Sequence, residues 1–359
     1  MSSGFNADLV RTGRQARGWS QTELSKRSGV SQAHQSKLEN GLIEPTDEVV
    51  DRIANALNLP RSLFFEPDKV QGLPMSVHPM YRKRASVGQR SLERLEAELN
   101  IRLFHIRRLL KSADFQPELS MPKFDIEDFG GDAEPIAELV RRTWLVPMGP
   151  IKELVGWAES AGCIVMHCDF AALSVDGVTA SSPGMPPCIF LNRNQPADRQ
   201  RYSLGHELGH IVMHRVPSPA MEDEANAFAS ALLMPARDIR PYLSGRLSIQ
   251  KLAELKLVWR VSMQALLYRA KTVGAITANQ SQYLWRQISS MGYRRREPSE
   301  LDFPVEEPGV LPEIIRIHLE DLDYGIKDLC SVLHVFEDDL RSMYPLPGNS
   351  GRQHLRLVR

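Results

Sequence analysis

The chain has 359 residues, and Lys+Arg and Asp+Glu each total 44. That length accommodates two or three domains with separate cores, and the balanced charge excludes a global field, so any nucleic-acid binding must come from a local patch. An N-terminal apolar signal and an apolar run of about 18 residues are both missing, so neither secretion nor membrane spanning is expected and the expected location is the cytoplasm. The four cysteines, Cys163, Cys168, Cys188 and Cys330, show no Cys-x-x-Cys spacing and read as free thiols, with a redox pair at Cys163 and Cys168 as the lesser reading.

From residue 5 to about 65 the pattern is short helices separated by tight turns. Leu9–Ala16 is the first, ended by Gly18; Ser20 caps a second over Gln21–Arg27, with Glu23 completing a capping box. Gly29 supplies the next turn, Ser31 caps a third helix running to Glu39, and Gly41 ends it. Amphipathic pieces at Asp47–Leu57 and Pro60–Phe65 follow. The run from Trp19-Ser-Gln-Thr-Glu-Leu through Ser36-Lys-Leu-Glu-Asn-Gly41 resembles the helix-turn-helix of the phage-repressor/Cro class, the XRE family, over about the first 65 residues. The resemblance implies that the second helix lies across the phosphate backbone and the third enters the major groove of an operator. Carried over by position, Gln32, Ala33 and Lys37 face base edges, Gln21 and Asn40 contact phosphates, and His34 and Gln35 are further candidates. Gln32 suits adenine, Lys37 guanine and Ala33 a thymine methyl. A single module buries little surface, so a homodimer on two half-sites is expected.

Residues 66–86, with Pro74, His78, Pro79 and the basic cluster Arg82-Lys-Arg84, read as a linker. Leu92, Leu95, Leu99, Leu103, Ile106 and Leu110 then mark one long amphipathic helix within 86–112, suited to packing on another domain or to dimerisation. Helical patterns at Asp132–Trp144 and Ile151–Ala161 precede two expected strands, Cys163–Cys168 and Pro187–Asn192. The second strand lies just before the next helix in sequence and is expected to line a cleft and pair with an extended peptide.

That next helix, from about Asp198, carries Leu204-Gly-His-Glu-Leu-Gly-His-Ile-Val-Met-His214. His206 and His210 fall one turn apart on one face, the H-E-x-x-H spacing that lets two imidazoles reach one zinc ion while Glu207 stands beside it as a general base. Further on, the stretch from Met221 to Pro235 is a second helix-forming run closed by Pro235, from which Glu222 can supply a third ligand and Asn226 can orient a ligand histidine. Three protein ligands leave the fourth position open to water, as hydrolysis requires and a structural site does not.

Residues 130–275 resemble the ImmA/IrrE family of metallopeptidases, on Gly149-Pro150, Ala161-Gly162, Arg199 through His210, His214, Glu222-x-x-x-Asn226 and Leu232-Leu-Met-Pro235. The resemblance implies a zinc endopeptidase acting on a repressor or antitoxin, with Glu207 as base and His206, His210 and Glu222 as ligands. The position of Glu222 relative to Asn226 favours it, and Glu224 is the alternative ligand. His214 reads as a helix-end residue behind the ligands, and Tyr202 and His214 are candidate oxyanion donors.

Beyond Pro235, Leu247–Trp259 and Val261–Lys271 form a helix pair ending at Gly274, read as part of the peptidase fold, with a second nucleic-acid surface as the lesser reading. A basic turn at 292–298, helices over Leu311–Leu322 and Ile326–Tyr344, and a basic tail after Pro345 complete the chain. The expected fold is mainly α with a small β-sheet (α+β). Its parts are a five-helix helix-turn-helix domain at 1–66, a linker and long helix at 67–129, a zincin-like domain at 130–278 and a C-terminal helical region at 279–359. The expected function is a DNA-binding regulator with a Zn2+ endopeptidase, in stress response or on a mobile element. The second reading is a non-proteolytic repressor or antitoxin that uses the peptidase fold as a metal or ligand sensor.

Overall fold

The computed structural model describes residues 4–67, 88–113, 115–170, 175–180, 184–344 and 346. The linker residues Pro74, His78, Pro79 and Arg82-Lys-Arg84, and nearly all of the tail after Pro345, lie outside the described residues. The chain is mainly helical with a three-stranded mixed sheet among the described residues, and it forms two compact units.

The first unit opens with α1 (Ala7–Ala16), whose first amides are capped by the Asn6 side chain. The Ser20–Glu23 capping box starts α2 (Gln21–Ser28), and Gly29 ends it at φ 68°, a left-handed conformation that costs glycine little. Ser31 caps α3 (Gln32–Glu39) through the His34 amide. Helix α4 (Asp47–Leu57) and a 3-10 turn at Arg61–Phe65 close the group. Leu24, Leu38, Ile53, Leu57 and Phe64 form its core, joined by Phe104 from the long helix α5 (Gln89–Leu109).

The second unit, Gln116–Gly309, starts with α6 (Ala133–Thr143) and α7 (Leu154–Ser160). Strands β1 (Ile164–Cys168), β2 (Gly177–Ala180) and β3 (Cys188–Asn192) follow in the spatial order β1-β3-β2. β3 runs parallel to β1, with Ile164 opposite Cys188, and antiparallel to β2, with Gly177 opposite Leu191. All five β3 residues are buried, as the unbroken apolar pattern of a central strand requires.

Helix α8 (Ala197–Met213) packs against β2 and β3, and α9 (Met221–Leu233) packs on α8 and α6. Helices α10 (Ala236–Leu243), α11 (Ile249–Trp259), α12 (Met263–Thr272) and α13 (Ala278–Ser290) complete this unit, and Trp144, Trp259, Leu204, Leu208 and Phe228 share its core. Charges buried around the start of α8 are all paired: Arg201 with Glu306, and Lys256 with both Asp198 and Glu297. Glu297 also accepts from the first amide of α12, at Met263.

The chain then returns to the first unit with α14 (Val310–Arg316), which runs into a π-turn at Ile317–Asp321, then α15 (Ile326–Leu333) and α16 (Glu337–Met343). Tyr344 Oη meets His105 Nδ1 of α5 at 2.7 Å, and His334 Nδ1 meets Ser62 Oγ at 2.6 Å. Among the described residues no helix is long and apolar enough to cross a membrane.

Candidate metal centre and helix-turn-helix surface

Helix α8 is buried along most of its length, and its two motif glycines explain how a second helix comes so close. A Cβ on Gly209 would stand 3.1 Å from Phe228 Cδ1 and 3.2 Å from Ala225 Cα, and one on Gly205 would stand 3.3 Å from Ala229 Cβ. Bare backbone at these positions lets α9 lie directly against α8. The first turn of α9 is thereby carried to the Nε2 ends of the two histidines.

His206 and His210 present their Nε2 atoms to each other at 3.0 Å. Glu222 Oε2 lies 3.6 Å from His206 Nε2, and Glu222 Oε1 lies 3.4 Å from His210 Nε2. One ligand atom from each of the three residues falls within 4.8 Å of the others, as one metal ion needs. His206 Nδ1–H donates to Asn226 Oδ1 at 3.2 Å, which leaves Nε2 with its lone pair outward. Burial lowers the His206 pKa, against the Asn226 hydrogen bond, which acts to raise it, so the ring is available as a neutral ligand. Two imidazoles and a carboxylate aimed at one point fit a divalent metal with an open position. Glu224, the alternative ligand, instead faces His214 Nε2 at 2.9 Å.

Glu207 is 1% exposed, and its Oε2 is buried without a hydrogen-bond partner among the described residues. Its side chain lies against Gly177 of β2, where a Cβ would stand 3.3 Å from Glu207 Cγ and 3.5 Å from Oε1. Sequence reading missed Gly177, since a lone glycine in a short strand does not announce what approaches it. The strand expected to pair with a peptide, Pro187–Asn192, is corrected: β3 is hydrogen-bonded on both sides and has no free edge. The edge strand beside Glu207 is β2.

Neither candidate oxyanion donor is idle. The Tyr202 hydroxyl donates to the Asn226 carbonyl at 3.0 Å, and burial pushes its pKa up to about 12. His214 is turned toward His210 and Glu224. The cysteines are free thiols, and burial raises the Cys163 thiol far above the usual range, against thiolate redox chemistry there.

On the first unit, Gln32, Ala33, Lys37 and Asn40 are exposed, and Gln21 is half-buried. Gln32 Nε2 donates to Gln21 Oε1 at 3.2 Å, and Gln21 Nε2 donates to Glu39 Oε2 at 3.0 Å, linking the start of α3 to α2. Asn40 caps α3 and donates to the Ser36 carbonyl. Gln35 is corrected: it is 0% exposed and donates inward to Glu39 Oε1 at 3.1 Å, so it does not reach a groove. Glu39 is the hub that the sequence did not mark, because it also takes both forks of buried Arg14 at 2.7 Å each.

Two protein families match separate parts of the chain. Residues 10–64 match the family described as Helix-turn-helix, and residues 158–271 match the IrrE N-terminal-like domain of peptidase family M78. A search of curated proteins finds no match.

Proposed function

We propose that this chain, which carries an XRE-type helix-turn-helix domain and an IrrE N-terminal-like peptidase domain, is a DNA-binding regulator with a zinc endopeptidase that cuts a partner regulatory protein. The partner class is a repressor or antitoxin. The observation that carries the reading is the convergence of His206, His210 and Glu222 beside buried Glu207, whose Oε2 has no partner among the described residues. A bound zinc would supply Lewis acidity to a water and to a peptide carbonyl.

The remaining work falls to side chains. Glu207 Oε2 takes the proton from the attacking water, a role suited to a buried carboxylate oxygen with no hydrogen-bond partner among the described residues. Asn226 fixes the His206 ring through Nδ1. The outer edge of β2, which pairs with no strand among the described residues and lies next to Glu207, is suited to hold an extended substrate by main-chain hydrogen bonds. The exposed α3 residues Gln32, Ala33 and Lys37 read base edges, Gln21 and Asn40 contact phosphates, and a homodimer spans two half-sites.

The test is co-expression of the wild type or Glu207→Gln with the proteins encoded beside it. Loss of one of those proteins with the wild type alone is expected. Equal loss with both forms would refute a glutamate-assisted hydrolysis, and survival of all of them with both would count against a neighbouring partner as substrate.

A further inference from the structure

Among the described residues, the His210 ring, unlike that of His206, has no amide or carbonyl partner. Its Nδ1 lies 2.9 Å from His214 Nδ1, and His214 Nε2 lies 2.9 Å from Glu224 Oε2. The backbone sets up this contact: α8 stops at Met213, and His214 takes extended dihedrals, φ −107° and ψ 116°. Its side chain is 4% exposed and that of Glu224 15%, so water does not compete freely for either bond.

We infer that His214 and Glu224 form a positioning relay that fixes the tautomer and ring plane of His210 for metal ligation. The proton count closes in only one arrangement of neutral rings. A metal-ligating His210 Nε2 keeps its proton on Nδ1, and that N–H faces His214 Nδ1. His214 Nδ1 must then accept, so the His214 proton sits on Nε2 and donates to Glu224. The carboxylate can only accept, and so it sets the direction of both bonds. Glu224, two residues beyond the ligand Glu222 on the first turn of α9, thus acts on the metal from two hydrogen bonds away. The inference rests on the metal reading of His206, His210 and Glu222.

The test uses the full-length, metal-free protein and zinc alone, with affinity read by competition against a chromophoric chelator. His214→Phe and Glu224→Ala are expected to weaken zinc binding roughly 10- to 100-fold, the usual effect of losing a ligand's hydrogen-bond partner. Glu224→Gln, whose amide oxygen still accepts, should lose less, and the melting temperature of the metal-free variants should stay near that of wild type. Unchanged zinc affinity in His214→Phe and Glu224→Ala, with wild type binding zinc, would overturn the relay. A wild type that binds no zinc would instead overturn the metal reading beneath it. A second measurement does not depend on variants folding: 15N resonances of the ring in metal-free wild type should place the His210 proton on Nδ1. A proton on Nε2 would overturn the relay.

Discussion

His105 lies fully buried on α5 with its Nδ1 against the Tyr344 hydroxyl. Burial first, then the nearby Arg102 and His334, drive its pKa from 6.5 down to about 3. The folded state therefore binds this proton more weakly than the unfolded chain does. Its stabilising contribution is complete above pH 6.5 and is lost as pH falls toward 3. Urea unfolding followed across that window should show wild type weakening with acid, and His105→Phe should show a flatter slope. An identical slope would remove His105 from the acid response. Glu39 is a second buried focus. Its own burial acts to raise its pKa, but hydrogen bonds from Arg14, Gln21 and Gln35 outweigh that and hold it below the ordinary carboxylate range. Glu39→Ala would leave the Arg14 guanidinium buried without its bidentate partner, a loss of about 3–5 kcal/mol. Denaturant unfolding checks this, and a change under 1 kcal/mol, by the scale of exposed pairs, would mean that water replaces the carboxylate.

At the scale of elements, the site depends on how closely α9 can lie on α8. Gly209→Ala would put a methyl 3.2 Å from Ala225 Cα and 3.1 Å from Phe228 Cδ1, so α9 has to give by a few tenths of an ångström at this crossing. Such overpacking costs about 1–3 kcal/mol, and it would draw Glu222 back from the two imidazoles. The expected result is weaker zinc binding together with a lower melting temperature; wild-type zinc affinity would show that the crossing has slack. The metal motif was legible because His206 and His210 are one turn apart whatever surrounds the helix. The same logic found Glu222, whose spacing to Asn226 resembled that of a known family. Gly177 and Glu39 were not legible. Their roles depend on contacts between elements far apart in sequence, which no local period encodes. The place of β3 was open to misreading for a similar reason: an apolar strand just before a helix is equally compatible with a central or an edge position, and here both neighbours are present.

For the whole molecule, the chain order does not follow the packing order. Helices α14 to α16 close on the unit that holds α1 to α5, through pairs such as His105–Tyr344 and Ser62–His334. Amphipathic periodicity predicts that such helices exist and bury a face, but it does not name the face they meet. What the chain does turns on the proposed open three-ligand centre, because an open position separates a catalytic metal from a structural one. It is tested most directly by X-ray absorption on the zinc-loaded full chain, before and after adding a hydroxamate. The proposed site predicts one zinc per chain held by two imidazoles, one carboxylate and a water that the hydroxamate displaces. Four protein ligands with no displaceable water, or coordination by sulfur, would contradict it.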